Sequence, residues 1–584
     1  MRCKESDGDV SLIHELVDEG VAPGVPVALV VAPGVGIALS WNSGRRVIAD
    51  KDPLRVVAEV DTLGPRWIWW TSREDAEPLV ASGIRPRACW DLGAVGRLLH
   101  GLSRDDAGAV WAAAFGLEQP PRAEGELSLL DLAGEAGDAV REDGHLSREW
   151  LRGGWADDLD RAQRWADVAL RLHAVQEELV RALPDRRTGR GSTTLPYFIA
   201  LSESMAALVC VELAHDGLPV DRAVLEEFLT TTVGPRPRTE VEEVSARHRR
   251  DREVWRHFPG EPVDLRNPST VRDLLARAGI EVPDTRSWRL EPYAATSPGI
   301  SALLAWRKAE RVATTYGWAW AERDIGGDGR LRGTWTAAEG AGRMTASAGL
   351  HNLPSELRPS VRPLEGRVLV RADLGQIEPR VLAAVSGDAA LAEAAREDDM
   401  YAPVARALSS DRATAKIAVL AAMYGQTSGA AGAALRDMDR TYPTAMAFLR
   451  AAEESGRRGA DLRTYGGRLL PLSKLAGSPA AEGPDSDSAH GRGRFARNAV
   501  VQGAAAELFK AWTATVRAGL VGLDARIVMC LHDELLVEAN EPDSARVVAL
   551  MGTALESTAS WWCAGSGVRL VAEVSVADTW ADAH

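Results

Sequence analysis

Lysine is almost missing from this chain. Its 584 residues include only Lys4, Lys51, Lys308, Lys416, Lys474 and Lys510, so arginine carries nearly all the positive charge. Cysteine is sparse as well: Cys3, Cys89, Cys210, Cys530 and Cys563 are five, an odd number, widely scattered and never in a CxxC pair. That pattern excludes a disulfide framework and a cysteine zinc site, and it fits a reducing compartment. No apolar run reaches the ~20 residues needed to cross a bilayer. The N-terminus carries Arg2 and Lys4 with no apolar stretch behind them, so neither a membrane span nor a secretory leader is expected. No internal repeat is present. A net charge of −15 argues mildly against a polyanionic partner, since neutralising phosphates takes Lys and Arg. A local basic groove can still coexist with an acidic remainder.

What is there reads as a folded chain of several domains. Hydrophobic residues make up 46% and charged residues 26%, an ordinary globular balance. Single cores stop growing near ~250–300 residues, so at least two domains are expected. Residues 1 to about 190 read as α/β, with strand-like runs such as Val27–Val31 beside Gly/Pro punctuation. The polar, breaker-rich stretch Pro184–Ser192 reads as a linker, and Gly477–Gly493 as a second loop. Between them apolar residues recur at helical spacing from Tyr197 to about Glu227, and more helical sequence follows to about Asp324. Arginines cluster at Arg247–Arg256, at Arg457, Arg458, Arg463 and Arg468, and at Arg492, Arg494 and Arg497.

Four later segments carry chemistry. Arg367–Leu374 opens as a buried strand and ends on Asp373; Gly375 permits a bend, and a helix follows. An Asp at such a junction is commonly a helix N-cap, but a carboxylate at a strand end can also face a cleft from a rigid support. Arg412–Gly425 is a good helix former closed by glycine, with Arg412, Lys416, Leu420 and Tyr424 four apart on one face. Two cations in its first turns oppose the helix dipole. That placement makes sense if an anion docks there. Arg494, Asn498 and Gln502 form a polar stripe on a third segment, suited to base-edge and sugar contacts without sequence reading. Arg526–Glu538 reads as a hairpin with His532, Asp533 and Glu534 at its tip, and paired anions in an apolar segment call for a compensating cation. Phosphoryl transfer asks for positioning and charge neutralisation more than covalent chemistry. Two metals about 3.5–4 Å apart do this by clamping the attacking and leaving oxygens. Asp373 and Asp533, brought to neighbouring strand ends, would hold them.

These segments resemble family A DNA polymerases: the first is similar to motif A, the second to motif B, the fourth to motif C, and the third to the R-xxx-N-xxx-Q helix before it. Gly342–Met344 with Asn352–Pro354, Thr464–Arg468, and the ending Val574–Trp580 also resemble family segments, in order, over residues 200 to 584. The resemblance implies an α+β polymerase domain over 191–584. Its thumb would span about 200–330, its palm about 331–388 and 498–584, and its fingers about 389–497. It implies a DNA-directed DNA polymerase with two Mg²⁺ ions, primer–template DNA and deoxynucleoside triphosphates as partners, a monomer in the bacterial cytoplasm on the nucleoid, with no membrane. Asp373 and Asp533 would bind the metals, helped by the Leu374 carbonyl, with Glu534 near the primer end. Arg412 and Lys416 would hold the triphosphate, Lys416 also neutralising developing charge. Glu378 would exclude a ribose 2′-hydroxyl, Tyr424 would mark the templating base, and Gln376 and Leu420 would line the nucleotide site. Arg343, Asn352, Arg494, Asn498, Gln502 and His532 would contact the primer–template.

The chain departs from the family's pattern at named positions. Leu420 replaces an aromatic that packs on the nucleotide, which forfeits stacking of ~1–3 kcal/mol per base. Leu374, Gly375 and Pro379 replace Tyr, Ser and Leu in motif A, and Tyr401 stands where a triphosphate-binding His is usual. Residues 1–190 resemble the family's 3′–5′ exonuclease domain, an RNase H-like α/β fold, but Val95, Arg161 and Trp165 fall where metal ligands are expected. An inactive exonuclease-like domain follows from that, and no 5′-nuclease domain is expected before it. The alternatives are a weakened polymerase fold that grips DNA without extending it, a residual 3′–5′ exonuclease, and an RNA polymerase of the same superfamily, which Glu378 disfavours.

Overall fold

A computed structural model describes residues 9–123, 137–187, 193–425, 430–474 and 489–583. Most of the expected loop Gly477–Gly493 and the end of the expected linker lie outside these residues. The described parts of both read differently from expectation. The helix Ala489–Gly519 begins inside the loop's last residues. Within the linker, Arg187 is buried and donates to Asp185 at 2.6 Å, to the Thr193 carbonyl at 2.7 Å and to the Trp561 carbonyl at 2.6 Å. That arginine anchors the segment it was expected to leave loose.

The chain forms two compact units. The first comprises Met1–His215, Trp335–Thr345 and Val370–Val576; the second comprises Asp216–Thr334, Ala346–Leu369 and Ala577–His584. In the first, five strands, β1 (Pro26–Ala32), β2 (Gly36–Trp41), β3 (Gly44–Ala49), β4 (Arg66–Trp69) and β5 (Ala88–Asp91), form a sheet in the order β3-β2-β1-β4-β5. β1 runs antiparallel to β2 and parallel to β4. β2 is buried along its whole length, while β3 alternates as an edge strand does. The strands' β-branched and Trp side chains meet Leu208 and Val211 in one core.

Those two residues belong to the helix Leu195–Asp216, which by length and composition alone could cross a membrane. The sequence reading took this stretch as helical from Tyr197 and counted no apolar run of spanning length in it. It is apolar all round because it is buried all round: 72% of the stretch lies inside the protein. Its Glu203 is fully buried between Arg468 and Lys510, each 2.5 Å away, and Glu212 accepts from Arg517. Burial would push the Glu203 carboxyl up, yet the two cations hold it below its ordinary value. Burial pulls Lys510 down to about 8. Removing one member would leave a buried charge unpaired, which costs about 3–5 kcal/mol.

Four further strands form a second sheet. Its strands run in the order Ala525–Leu531, Glu534–Asn540, Arg367–Leu374, Ala572–Ala577. The first two form a hairpin in which Leu531 pairs with Glu534, leaving His532 and Asp533 as a two-residue turn. His532 takes the left-handed conformation that the tight turn demands, at φ 54°. The long helix Ala489–Gly519 keeps Trp512 fully buried, its indole donating to the Met551 carbonyl.

The second unit is mainly helical. Arg222–Thr232, Glu240–Trp255, Pro268–Arg277, Ser287–Ala294, Pro298–Thr315 and Trp318–Asp324 follow one another. Val254, Leu274, Leu290, Ile300 and Leu303 form its core. A buried network pins it: Arg266 bridges Asp251 at 3.0 Å and Glu310 at 2.7 Å, and Trp306 donates to Asp251. The four described cysteines are free and buried.

Candidate active site

Two distant parts of the sequence meet at one backbone bond: the Leu374 amide donates to the Asp533 carbonyl at 3.0 Å. The Asp373 strand and the hairpin strand Glu534–Asn540 are neighbours in the sheet, so the strand end and the hairpin tip lie side by side. Asp373 is therefore placed beside Asp533. Burial, and then the Asp533 charge, raise the Asp373 carboxyl to about 6. Burial likewise raises Asp533, with Glu534 and Glu378 adding repulsion. Carboxylates that hold one another's protons lack counter-charge.

The one cation ion-paired to Asp373 among the described residues is Arg371, two residues earlier and thus on the same face of the strand. Its Nη2 lies 2.8 Å from Asp373, and its Nε lies 2.9 Å from Glu534, whose side chain is buried. The sequence reading missed Arg371; the i, i+2 spacing to Asp373 was the available signal.

The donor set suits a hard divalent cation. Among the described residues no group of three His, Cys, Asp or Glu side chains is placed to hold a metal. Mg²⁺ does not require one, because it commonly takes one or two carboxylates and completes its shell with waters and substrate phosphates. Asp373, Asp533 and the Leu374 carbonyl could supply that protein share.

The bend after Asp373 is not made by the residue expected. Gly375 is not in the left-handed region, whereas Gln376 is, at φ 56°. Gly375 is needed for space: a Cβ there would stand 2.9 Å from the Val571 side chain, and its amide donates to the Val571 carbonyl at 2.9 Å. Gln376 then donates to Asp399 at 2.8 Å and accepts from the Met400 amide at 2.9 Å. Arg380, wholly buried, donates to the carbonyls of Gly375, Ala395, Glu397, Asp398 and Arg569. That fan of bonds locks the helix Ile377–Ser386, and with it Glu378.

The helix Arg412–Tyr424 is capped by Asp411, which accepts from the Thr414 amide, and closes on left-handed Gly425. Lys416 is exposed on it, without an ion-pair partner among the described residues. Arg412 meets Asp399 at 2.6 Å, and its guanidinium lies over the Tyr401 ring, 5.7 Å from the centroid. The Arg412 hydrogen bond, with that from Gln376, holds the Asp399 carboxyl below its ordinary value. Tyr401 is buried, and burial raises its hydroxyl to about 12. Asp399 was not anticipated from the sequence.

At the far end of that helix the Tyr424 hydroxyl donates to Glu378 at 3.1 Å. Burial and the Glu378 charge raise the tyrosine, while a bond from Gln502 and the charge of Arg343 pull it the other way. Arg343 also lies near His532, whose imidazole burial, then Arg343, hold low. The structure thus gathers Arg343, Glu378, Tyr424, Gln502 and His532 with the two aspartates. Arg494, Asn498 and Gln502 share a half-exposed helix face as expected, and Arg494 packs near Gly425. Their neighbour Arg497 instead turns inward to the Ala422 carbonyl and Glu453. Arg468 is likewise structural; it fills the space where a Cβ on Gly342 would stand, 2.6 Å away. Asn352 belongs to the second unit, where its carbonyl accepts from Tyr316.

The positions examined for exonuclease ligands hold packing residues. Val95 is buried in a helix, Trp165 stacks on Trp70 at 4.6 Å, and Arg161 pairs with Glu149 and lies over the Trp150 ring.

Comparison with known proteins bears on the family and the fold. The sequence pattern of DNA polymerase family A matches residues 276–582. The thermostable DNA polymerase I of Thermus thermophilus is 26% identical over 459 residues, 72% of this chain and 52% of that protein. The DNA polymerase I of Deinococcus radiodurans is 25% identical over 365 residues, 56% of this chain and 37% of that one. The chain thus spans about half or less of these curated relatives. The solved POL domain of Pol1 from M. smegmatis, in complex with DNA primer-template and dNTP, superposes with a TM-score of 0.64 at 19% identity over 98% of both chains. That likeness fixes the fold, with an α/β sheet region ahead of a mixed α/β polymerase domain, and with the match over 276–582 it means that this chain belongs to DNA polymerase family A.

Proposed function

We propose that the chain is a DNA-directed DNA polymerase that adds deoxynucleotides to a primer 3′ end during replication or repair. The observation that carries the reading is the 3.0 Å bond between Leu374 and Asp533, which sets the two aspartates side by side. In this reading residues 191–584 are the polymerase domain, with thumb about 200–330, palm about 331–388 and 498–584, and fingers about 389–497. The enzyme acts as a monomer in the bacterial cytoplasm, on the nucleoid.

Asp373, Asp533 and the Leu374 carbonyl would hold two Mg²⁺ ions, which would stabilise negative charge on the attacking and leaving oxygens. The chain's own groups do the rest. The primer 3′-hydroxyl gives its proton to solvent as its oxygen bonds to the α-phosphorus and the α–β bridging oxygen departs with pyrophosphate, and Lys416 with Arg412 neutralises the charge that develops there. Glu378, fixed by Tyr424 and by the helix Arg380 locks, stands where a ribose 2′-hydroxyl would collide. Arg343, Asn352, Arg494, Asn498, Gln502 and His532 grip the primer–template, while Gln376 and Leu420 line the nucleotide site. Residues 1–190 keep an exonuclease-like fold without proofreading; the stacked Trp70 and Trp165 support this.

Extension of a labelled primer with Mg²⁺ and four deoxynucleotides tests the reading. Wild-type protein extends and Asp533→Ala does not. DNA binding without extension by the wild type would favour the grip-only alternative, for which the engagement of Arg412 by Asp399 speaks. Primer shortening that survives Asp533→Ala would favour the exonuclease. Glu378→Ala raises ribonucleotide incorporation by roughly tenfold or more, about 1.4 kcal/mol of lost discrimination. An unchanged ratio removes Glu378 from that role.

A further inference from the structure

Arg371 has no part in the roles above, yet it touches two of the site's acids. We propose that Arg371 is a resident counter-ion that competes with divalent cations for Asp373, with Glu534 holding it in place, so that the free protein binds those cations weakly. The inference deepens the proposed function and rests on its reading of Asp373 and Asp533 as metal ligands.

The geometry supplies the argument. Arg371 Nη2 reaches Asp373 Oδ2 at 2.8 Å and also lies 3.4 Å from Glu534 Oε2, while Nε lies 2.9 Å from Glu534 Oε1. Two contacts go to Glu534 and one to Asp373. The Glu534 side chain is only 8% exposed, that of Asp373 34%. Nη2 donates to both acids, while Nε makes only an ion-pair contact with Glu534 and no hydrogen bond; both nitrogens thus face the more buried carboxylate, and that side of the arrangement is the one shielded from solvent. Drawing a cation away from the buried Glu534 carboxylate is costly, whereas the more exposed Asp373 can exchange one cation for another. A divalent ion arriving at Asp373 must displace Arg371 from that oxygen, yet the arginine stays close on Glu534 and opposes the ion's charge. A cation at this position thus lowers affinity in the free protein and leaves room for a substrate's negative charge to restore it.

The test uses the full chain without DNA or nucleotide and Mn²⁺ as the probe, with free Mn²⁺ read by electron paramagnetic resonance. Acidic surface elsewhere binds Mn²⁺ too, so the site's share is the binding lost in Asp533→Asn. Arg371→Gln should tighten that share about tenfold, and Arg371→Lys, which keeps the charge, should stay within about twofold of wild type. Glu534→Gln frees Arg371 for Asp373 and should weaken it several-fold. Should Arg371→Gln fail to fold beside the buried Glu534 charge, the double variant Arg371→Gln/Glu534→Gln removes that charge as well. It should bind more tightly than Glu534→Gln alone. Unchanged or weaker binding in Arg371→Gln, or in the double variant against its parent, overturns the inference and leaves the metal-site reading standing. So does a lysine variant that behaves like glutamine. If Asp533→Asn removes no binding from the wild type, both readings fall together.

Discussion

Asp91 and Asp373 begin from the same local sequence logic and end with opposite uses. Asp91 closes its strand and Asp373 stands one residue from the end of its own, and each strand is followed by a helix. Asp91 is 2% exposed and fully committed: it accepts from the Ala94 amide at 2.7 Å and the Ser72 amide at 2.6 Å, capping the helix that follows. Asp373 caps nothing. The helix after it starts on left-handed Gln376, with no side-chain cap, and the carboxylate is left facing Asp533. A strand-end aspartate is a structural part when backbone amides claim it. It becomes a reactive one when only another acid and a lone arginine do.

The sharpest way to break this contrast is to neutralise one aspartate in each place. Asp533→Asn should lower primer extension by about a thousandfold or more, near 4 kcal/mol of barrier at ~1.4 kcal/mol per decade. Its fold should survive, as judged by a denaturation midpoint in chelator no lower than wild type. Asp91→Ala should do the reverse. Losing two buried amide bonds, one of them the helix cap, should cost about 2–3 kcal/mol of stability, read as a lower midpoint in urea. Extension per folded molecule should stay within about twofold. A magnesium-dependent primer shortening abolished by Asp91→Ala would show that Asp91 is a ligand after all, and the contrast would fail.

The same pair shows what could be read before folding. The strand, the helix behind it and the hairpin around His532 were all legible, because apolar runs broken by a polar turn are written locally; the turn itself was read one residue too long, since Glu534 pairs with Leu531 inside the strand. The convergence of Asp373 on Asp533 came from motif resemblance, since nothing local brings residues 160 apart together. Arg371 and Asp399 escaped because their roles exist only through partners: Glu534 for one, Gln376 and Arg412 for the other. Gly375 was credited with a bend that Gln376 makes, since a close approach by Val571 leaves no mark in the neighbouring sequence. The helix Leu195–Asp216 was legible as a helix from Tyr197, but the burial of its Glu203 and Glu212 was not, because the cations each is buried against are supplied from far along the chain.

The smallest effect separates the two aspartates by their response to pH. The ordinary carboxylate value is 3.8, and burial with the Asp533 charge raises Asp373 to about 6. A raised acid binds its proton more tightly folded than unfolded, so ionising it works against the fold. That penalty is absent below about 3.8, grows between 3.8 and 6, and is constant above 6. Asp373→Asn removes it. In the presence of a chelator, the variant should therefore melt roughly 1–3 °C above wild type at pH 8, with the gap closing as pH falls through 6 toward 4. Added Mg²⁺ should reverse the sign at pH 8, since only the wild type gains a bound cation, and stabilisation by a ligand follows its affinity for the native state. The partial exposure of Asp373 and the Arg371 contact both shrink the penalty, which is why only a few degrees are expected. Equal melting of the two proteins at every pH in chelator would mean that Arg371 already balances the site. Asp373 would then be as fully satisfied as Asp91, and the difference between the two strand ends would have to be sought in Asp533 alone.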